Sequence, residues 1–295
     1  MTEITTRRCE AASGTLRWGA NSPSRLLAAL LIGMATLPSL AGEPPQNAAG
    51  PAYDTAGHQR RPTGATYHVR RLPHADMRID GRLDEPEWSR ANVERHFVFP
   101  WSKEAAPATE FRAFCDDQYL YFAFRAQDAD IFVLDKLRDK EDAVFEDRVE
   151  MILSRDEQMR NYFCFEIDSR GRVFDYRARY YRQFDPTWKC QGLKTAAAPF
   201  RQGYVVEGRM PLRTLREMGF PQLVPGGKIL CGLYRAEFSH DRSGKPVVQR
   251  ETIHNRGRKL AGPPPIEGWM SWVDPKTPEP DFHVPSSLGW LDITE

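Results

Sequence analysis

No CxxC pair and no Cys/His cluster at zinc spacing occurs among the five cysteines, Cys9, Cys115, Cys164, Cys190 and Cys231, which excludes a zinc ribbon or a thioredoxin-type site. Charge of one sign is not in excess. The 295 residues carry 41 Lys+Arg against 40 Asp+Glu, a formal net charge of +1, so the chain lacks the field that tracks a phosphate backbone and nucleic acid is not an expected partner. No apolar run is long enough for a membrane span: Leu26 to Leu40 is about 15 residues against the roughly 20 required, and Gly33 and Pro38 interrupt it. The GxSxG elbow, HExxH, the P-loop and GxGxxG are all absent, as are heptads and internal repeats of about 20–50 residues.

The short apolar run fits the central part of a secretory signal. Arg7, Arg8, Arg17 and Arg25 precede it, and Ser39-Leu40-Ala41 supplies a small-x-small cleavage site before Gly42. Residues 1–41 are therefore expected to direct export to the periplasm or the extracellular space. Residues 42–65, rich in Pro, Gly and Ala, form a linker, and a single folded domain spans 66–295. Export removes Cys9 and leaves four cysteines in an oxidising compartment, either as one or two disulfides or as buried apolar thiols.

Within 66–295 the dominant signal is short runs of β-branched and aromatic residues that alternate with polar ones. Strands are predicted at Glu94–Phe99, Glu110–Cys115, Tyr119–Ala126, Arg148–Leu153, Tyr162–Ile167, Val173–Arg179, Tyr204–Met210, Ile229–Phe238 and Leu288–Ile293. Asp116-Asp117-Gln118 and Ser169-Arg170-Gly171 have the length and composition of hairpin turns. Helical signals are confined to Glu85–Ala91, with Asp84 as N-cap, and Leu212–Met218, closed by Gly219. Many short strands with one or two short helices give an all-β class and an antiparallel β-sandwich. The stretch Ser239–Gly268, rich in Gly, Pro, Arg and Lys, is too long for an ordinary hairpin loop.

Asp142, Glu146, Asp147 and Glu150 form the densest acidic group. On a strand, Arg148 and Glu150 share one face while Val149 and Met151 share the other. Glu150 is then a ligand-binding carboxylate, a calcium ligand or a solvated acid. Glu150 with Glu166 is the pair that a glycoside hydrolase would use as acid and base, although their separation is not a property of the sequence. Seven tryptophans are the other resource, since sugar rings present CH faces that stack on flat aromatic side chains. Trp88 and Trp188 read as core, while Trp269, Trp272 and Phe282 lie together in a Pro-stiffened C-terminal segment. His240, His254 and His283 are scattered, and Arg250, Arg256, Arg258 and Lys259 form a basic run that suits a solvated loop or an acidic polysaccharide.

Several segments, taken in order, resemble the family 9 carbohydrate-binding module and its DOMON-like relatives. They are Ile79-Asp80-Gly81-Arg82-Leu83-Asp84-Glu85-Pro86-Glu87-Trp88, Asp116-Asp117-Gln118-Tyr119-Leu120-Tyr121-Phe122 and Glu146-Asp147-Arg148-Val149-Glu150-Met151. Gly203-Tyr204-Val205-Val206-Glu207-Gly208-Arg209-Met210-Pro211-Leu212 follows, and Ser271-Trp272-Val273-Asp274-Pro275 with Phe282-His283-Val284-Pro285-Ser286-Ser287-Leu288-Gly289 closes the set.

The resemblance implies a DOMON-like, immunoglobulin-like sandwich that binds the ends of glycan chains between two aromatic rings, with structural calcium. It places the family's binding glutamate on Glu150, one sandwiching aromatic on Phe282, and the other beside Val144, where Phe145 serves. The family's neighbouring arginine and asparagine fall on Cys164 and Glu166, which differ from the pattern.

The expected function is an exported, non-catalytic, monomeric carbohydrate binder that assists polysaccharide catabolism. Glu150, Phe282, Phe145, Trp272 and Glu166 are its site residues. The alternatives are a haem-binding electron-transfer module drawing on Met151, Met159, Met210 or His283, and a hydrolase of O-glycosyl bonds.

Overall fold

The computed structural model describes residue 62 and residues 64–137, 139–238 and 268–295. The expected signal, nearly all of the linker, Cys9 and the basic run at 250–259 lie outside the described residues. In chain order the strands are β1 (Thr66–Arg71), β2 (Thr109–Cys115), β3 (Tyr119–Gln127), β4 (Arg148–Ser154), β5 (Tyr162–Asp168), β6 (Val173–Arg179), β7 (Gln183–Asp185), β8 (Lys194–Phe200), β9 (Gly203–Pro211), β10 (Lys228–Ala236), β11 (Trp269–Ser271) and β12 (Gly289–Thr294). Two short helices, α1 (Pro86–Arg90) and α2 (Leu212–Glu217), and 3₁₀ turns at Lys140–Phe145 and Pro285–Ser287 complete the mostly-β fold. Among the described residues no helix is long and apolar enough to cross a membrane.

The strands join in one twelve-stranded sheet, ordered β7-β6-β5-β4-β10-β12-β1-β2-β3-β9-β8, with β11 added to β10. The predicted antiparallel sandwich is corrected on two points. The sheet is mixed, because β1 runs parallel to both β12 and β2, and its two halves are hydrogen-bonded to each other through that parallel seam. The sheet curls so that both halves cover one core. Met151, Leu153, Phe163 and Phe165 from one half pack in the same apolar cluster as Phe122, Phe124, Tyr204 and Val206 from the other. Each such side chain contributes roughly 1.5–3 kcal/mol by burial.

Turn chemistry follows the sequence. Asp116 Oδ1 accepts from the backbone N–H groups of Gln118 and Tyr119, both at 2.7 Å, and Asp168 Oδ1 accepts from those of Arg170 and Arg172, the local bonds by which Asp closes a turn. At α1 the N-cap is Glu85 rather than Asp84, and it makes no side-chain cap bond. The predicted strand Glu94–Phe99 is reduced to two isolated bridges, Glu94 to Phe111 and Val98 to Ser271.

All four described cysteines are free and buried. Cys115, Cys190 and Cys231 sit in the main core and Cys164 in a second apolar cluster. Burial pushes the thiols of Cys115 and Cys190 up to about 11 and about 12, so they are held as apolar groups.

Candidate functional site

Strand β4 is buried on both faces along its whole length. Val149, Met151 and Leu153 enter the main core. Arg148, Glu150 and Ile152 point the other way, onto the outer face of the half-sheet β6-β5-β4-β10. Cross-strand register places Tyr234, Glu150, Glu166 and Phe174 in one row over four adjacent strands. Two carboxylates directly opposite each other repel, and Arg148 lies between them. Its Nη2 is 2.6 Å from Glu150 Oε1, its Nε donates to Glu166 Oε2 at 2.8 Å, and its Nη1 donates to the Val144 carbonyl at 2.9 Å. Tyr176 donates its hydroxyl to Glu166 Oε1 at 2.9 Å.

One guanidinium against two carboxylates leaves this buried group short of positive charge. Burial, reinforced by Glu166 and opposed by Arg148, pushes Glu150 up to about 7. Arg148 stands two residues before Glu150 on the same strand face.

An aromatic stack covers the row. Phe282 lies on Tyr234 with ring centroids 4.2 Å apart and planes 16° off parallel, and it touches Trp101 and Trp269 at 5.3 and 5.6 Å. The Tyr234 ring lies back over Gly232, where a Cβ would fall 1.8 Å from the Tyr234 hydroxyl oxygen, so only glycine permits this arrangement. The Tyr234 hydroxyl bonds Ser287 Oγ at 2.6 Å, which pins the C-terminal segment onto the sheet. Phe282 is 3% exposed, whereas Trp101, Trp269 and Phe174 are half-buried around it.

The structure therefore brings Glu150 and Glu166 together through Arg148, and Phe282 over the same face through Tyr234. Phe145 belongs to an adjoining apolar group with Phe132, Ala236 and Phe238. Trp272 lies in the main core, apart from the cluster that holds Phe282, and its Nε1 donates to Glu94 Oε2 at 3.0 Å. Tyr176, Tyr234 and Trp101 were not singled out by sequence, because the registers that unite them join distant segments. Of the expected haem ligands, Met151 and Met210 lie in the main core and Met159 in the second cluster, while His283 Nδ1 is bonded to the Tyr162 hydroxyl at 3.2 Å. Burial pushes His283 down to about 3, so it is a neutral packing group.

A second charged group stands beside the first. Asp128, Asp147 and Glu237 offer one carboxylate oxygen each, all within 4.8 Å of one another. Arg235 enters the group, with Nη2 3.6 Å from Asp128 Oδ2 and 2.5 Å from Glu237 Oε2. Asp128 Oδ2 is buried without a hydrogen-bond partner. Three acids face one guanidinium here, and an all-oxygen donor set suits a hard divalent cation. Burial, with Asp128 and Glu237 adding to it, holds the Asp147 carboxyl well above the usual range.

A curled sheet with a polar, aromatic-capped outer face defines the class of a ligand-binding β-domain. Residues 79–250 match the family model described as carbohydrate family 9 binding domain-like, and the chain belongs to this family. Its modules are non-catalytic binding domains, and the chain is a carbohydrate-binding protein on that ground.

Among solved structures, a candidate carbohydrate-binding protein from Bacteroides uniformis ATCC 8492 is similar at 16% identity and a TM-score of 0.55, over 78% of this chain and 100% of its own. Two family 9 module structures from Caldicellulosiruptor kristjanssonii, in complex with cellotriose and with glucose, show 15% and 17% identity. They cover 78% of this chain and 94% and 95% of theirs, with TM-scores of 0.49 and 0.45. No curated protein matches the chain.

Proposed function

We propose that this is an exported binding module that holds oligosaccharide over the outer face of β4 and β5, in aid of polysaccharide breakdown by enzymes secreted beside it. The observation that carries the reading is the Arg148 guanidinium clamped between Glu150 and Glu166 beneath an aromatic cap. A sugar presents hydroxyls that need charged or polar partners and CH faces that need flat rings, and this face supplies both within one cross-strand row. Glu150 accepts hydrogen bonds from sugar hydroxyls, with Arg148 holding its carboxylate in place. The half-buried rings of Trp101 and Trp269 stack on the sugar, and Phe282 supports them from beneath. Phe145 flanks the Val144 carbonyl that orients Arg148. A divalent cation held by Asp128, Asp147 and Glu237 supplies the charge that Arg235 alone does not.

A glycan array probed with the full chain, with calcium and again with chelator, tests the reading. Binding of a defined glycan class that is lost in Glu150→Gln supports it. A folded protein that binds no glycan under either condition refutes it.

A further inference from the structure

We propose that a cleft at the far end of the same sheet face is a second carbohydrate site, selective for a sugar that carries a carboxylate, such as a uronic acid. The sugar class rests on the reading above, but the site is separate from the Glu150 row. Four residues along β4, about 13–14 Å away at ~3.4 Å per residue, register aligns Ser154, Leu230 and Trp290 across β4, β10 and β12. This second row floors a cleft of about 480 Å³ walled by the β4–β5 turn and by residues 219–221. The volume lies within the ~300–1,000 Å³ typical of small-molecule sites. Trp290 is half-buried and offers the flat apolar surface.

The polar wall is braced without any ligand. Met159 is fully buried in the second apolar cluster and anchors the turn, with its carbonyl accepting from Tyr180 N at 2.9 Å. Asp156 Oδ1 accepts from Gln158 N, Arg160 N and Arg160 Nε, and Ser154 Oγ donates to the Asp156 carbonyl. On the opposite wall Gly219 has φ +86°, and a Cβ there would fall 2.7 Å from Arg155 Nε and 2.8 Å from Arg155 Cζ. The glycine lets the chain pass against the guanidinium and fixes Arg155 at the rim. A wall ordered in advance lowers the entropic cost of binding.

Charge then selects the ligand. Arg155, Arg160 and Lys228 line the cleft with Asp156 and Glu157, and since Arg160 and Asp156 are paired with each other, the balance is set by Arg155 and Lys228 against Glu157. Lys228 is half-exposed and only loosely paired, with Nζ 3.5 Å from Asp292 Oδ2. The cleft therefore favours an anion, and its tryptophan together with the Gln158 and Asn161 amides favours one mounted on a sugar ring.

Calorimetric titration of the full chain with trigalacturonate and with cellotriose tests this. Trigalacturonate should bind, bind more weakly as salt rises, keep its affinity in Glu150→Gln, and lose at least about tenfold in Lys228→Glu and in Trp290→Ala. Should Trp290→Ala fail to fold, Lys228→Glu decides alone, since its exposed position does not carry the fold. Absence of trigalacturonate binding, unchanged affinity in folded Lys228→Glu, or loss of trigalacturonate binding in Glu150→Gln overturns the proposal. Loss of cellotriose binding in Glu150→Gln bears only on the Glu150 face, so the two readings fail separately.

Discussion

Trp88 and Glu207 are joined by a buried hydrogen bond of 3.1 Å from the indole Nε1 to Oε1. The other carboxylate oxygen accepts from the backbone N–H groups of Asp80 and Gly81, both at 2.9 Å. One glutamate on β9 thus fastens the Asp80-Gly81 loop and α1 to the sheet, which explains why the Ile79–Trp88 segment and the Gly203–Leu212 segment occur together. Glu207→Ala leaves three donors without their acceptor and should cost about 3–5 kcal/mol. Trp88→Phe keeps most of the packing and should cost less. Urea unfolding at neutral pH measures both, and a Glu207→Ala loss below about 1 kcal/mol would show that the loop is held by packing alone.

The strands that sequence located best are those with alternating polar and apolar residues, such as Val173–Arg179, because that alternation is a local property of the chain. β8 escaped notice since Ala196-Ala197-Ala198-Pro199 has little strand propensity; it forms at the sheet edge, where β9 alone pairs with it. The single mixed sheet was also hidden, because parallel pairing of β1 with β12 unites the two ends of the domain and leaves no local trace.

In the candidate site, alternation alone put Arg148 and Glu150 on one face. It did not reveal that Glu166 is the direct partner of Glu150, or that Tyr234 holds Phe282. The dense acidic run also divides in space. Asp147 joins Asp128 and Glu237, Glu146 pairs with Arg172 at 2.8 Å, and Glu150 pairs with Arg148.

Phe282 and Trp269 touch, but they should respond differently to mutation. Phe282 is buried on Tyr234, so Phe282→Ala opens a cavity and should cost about 3–5 kcal/mol of stability. Trp269→Ala and Trp101→Ala remove half-buried rings and should weaken glycan binding by about 1–3 kcal/mol, on the scale of aromatic stacking losses, with smaller effects on unfolding. Paired binding and denaturation measurements separate the two roles. Full affinity in folded Trp269→Ala and Trp101→Ala would remove both rings from the site.

Glu150 makes stability depend on pH in a definite direction. Its carboxyl titrates near 7 in the folded protein against 4.5 ordinarily, so between those values the native state binds the proton more tightly than the unfolded chain does. The contribution of this proton is complete below about pH 4.5 and is lost as pH rises through about 7. Glu150→Gln, which stays neutral, should therefore gain on the wild type across that window and run parallel to it above. Denaturation free energies of both proteins from pH 4.5 to 8 provide the check. A difference that does not change with pH would mean that Arg148 keeps the carboxylate ionised throughout.

Cation removal should act through the Asp128, Asp147 and Glu237 group. One carboxylate oxygen from each of the three residues lies close enough to the others to share a single cation. Without a cation, three acids must share a buried site with one guanidinium, and the raised Asp147 carboxyl answers by holding its proton, at a cost to the fold. A divalent cation at about 100 times its dissociation constant adds about 2.7 kcal/mol, a rise in Tm of about 5–10 °C for a domain of this size. Chelator should reverse it. Asp128→Asn removes one charge without changing shape, so in chelator it should melt above the wild type, and it should respond weakly to added cation. Identical melting of wild type in calcium, magnesium, manganese and chelator would mean that Arg235, with a protonated carboxyl, balances the group by itself.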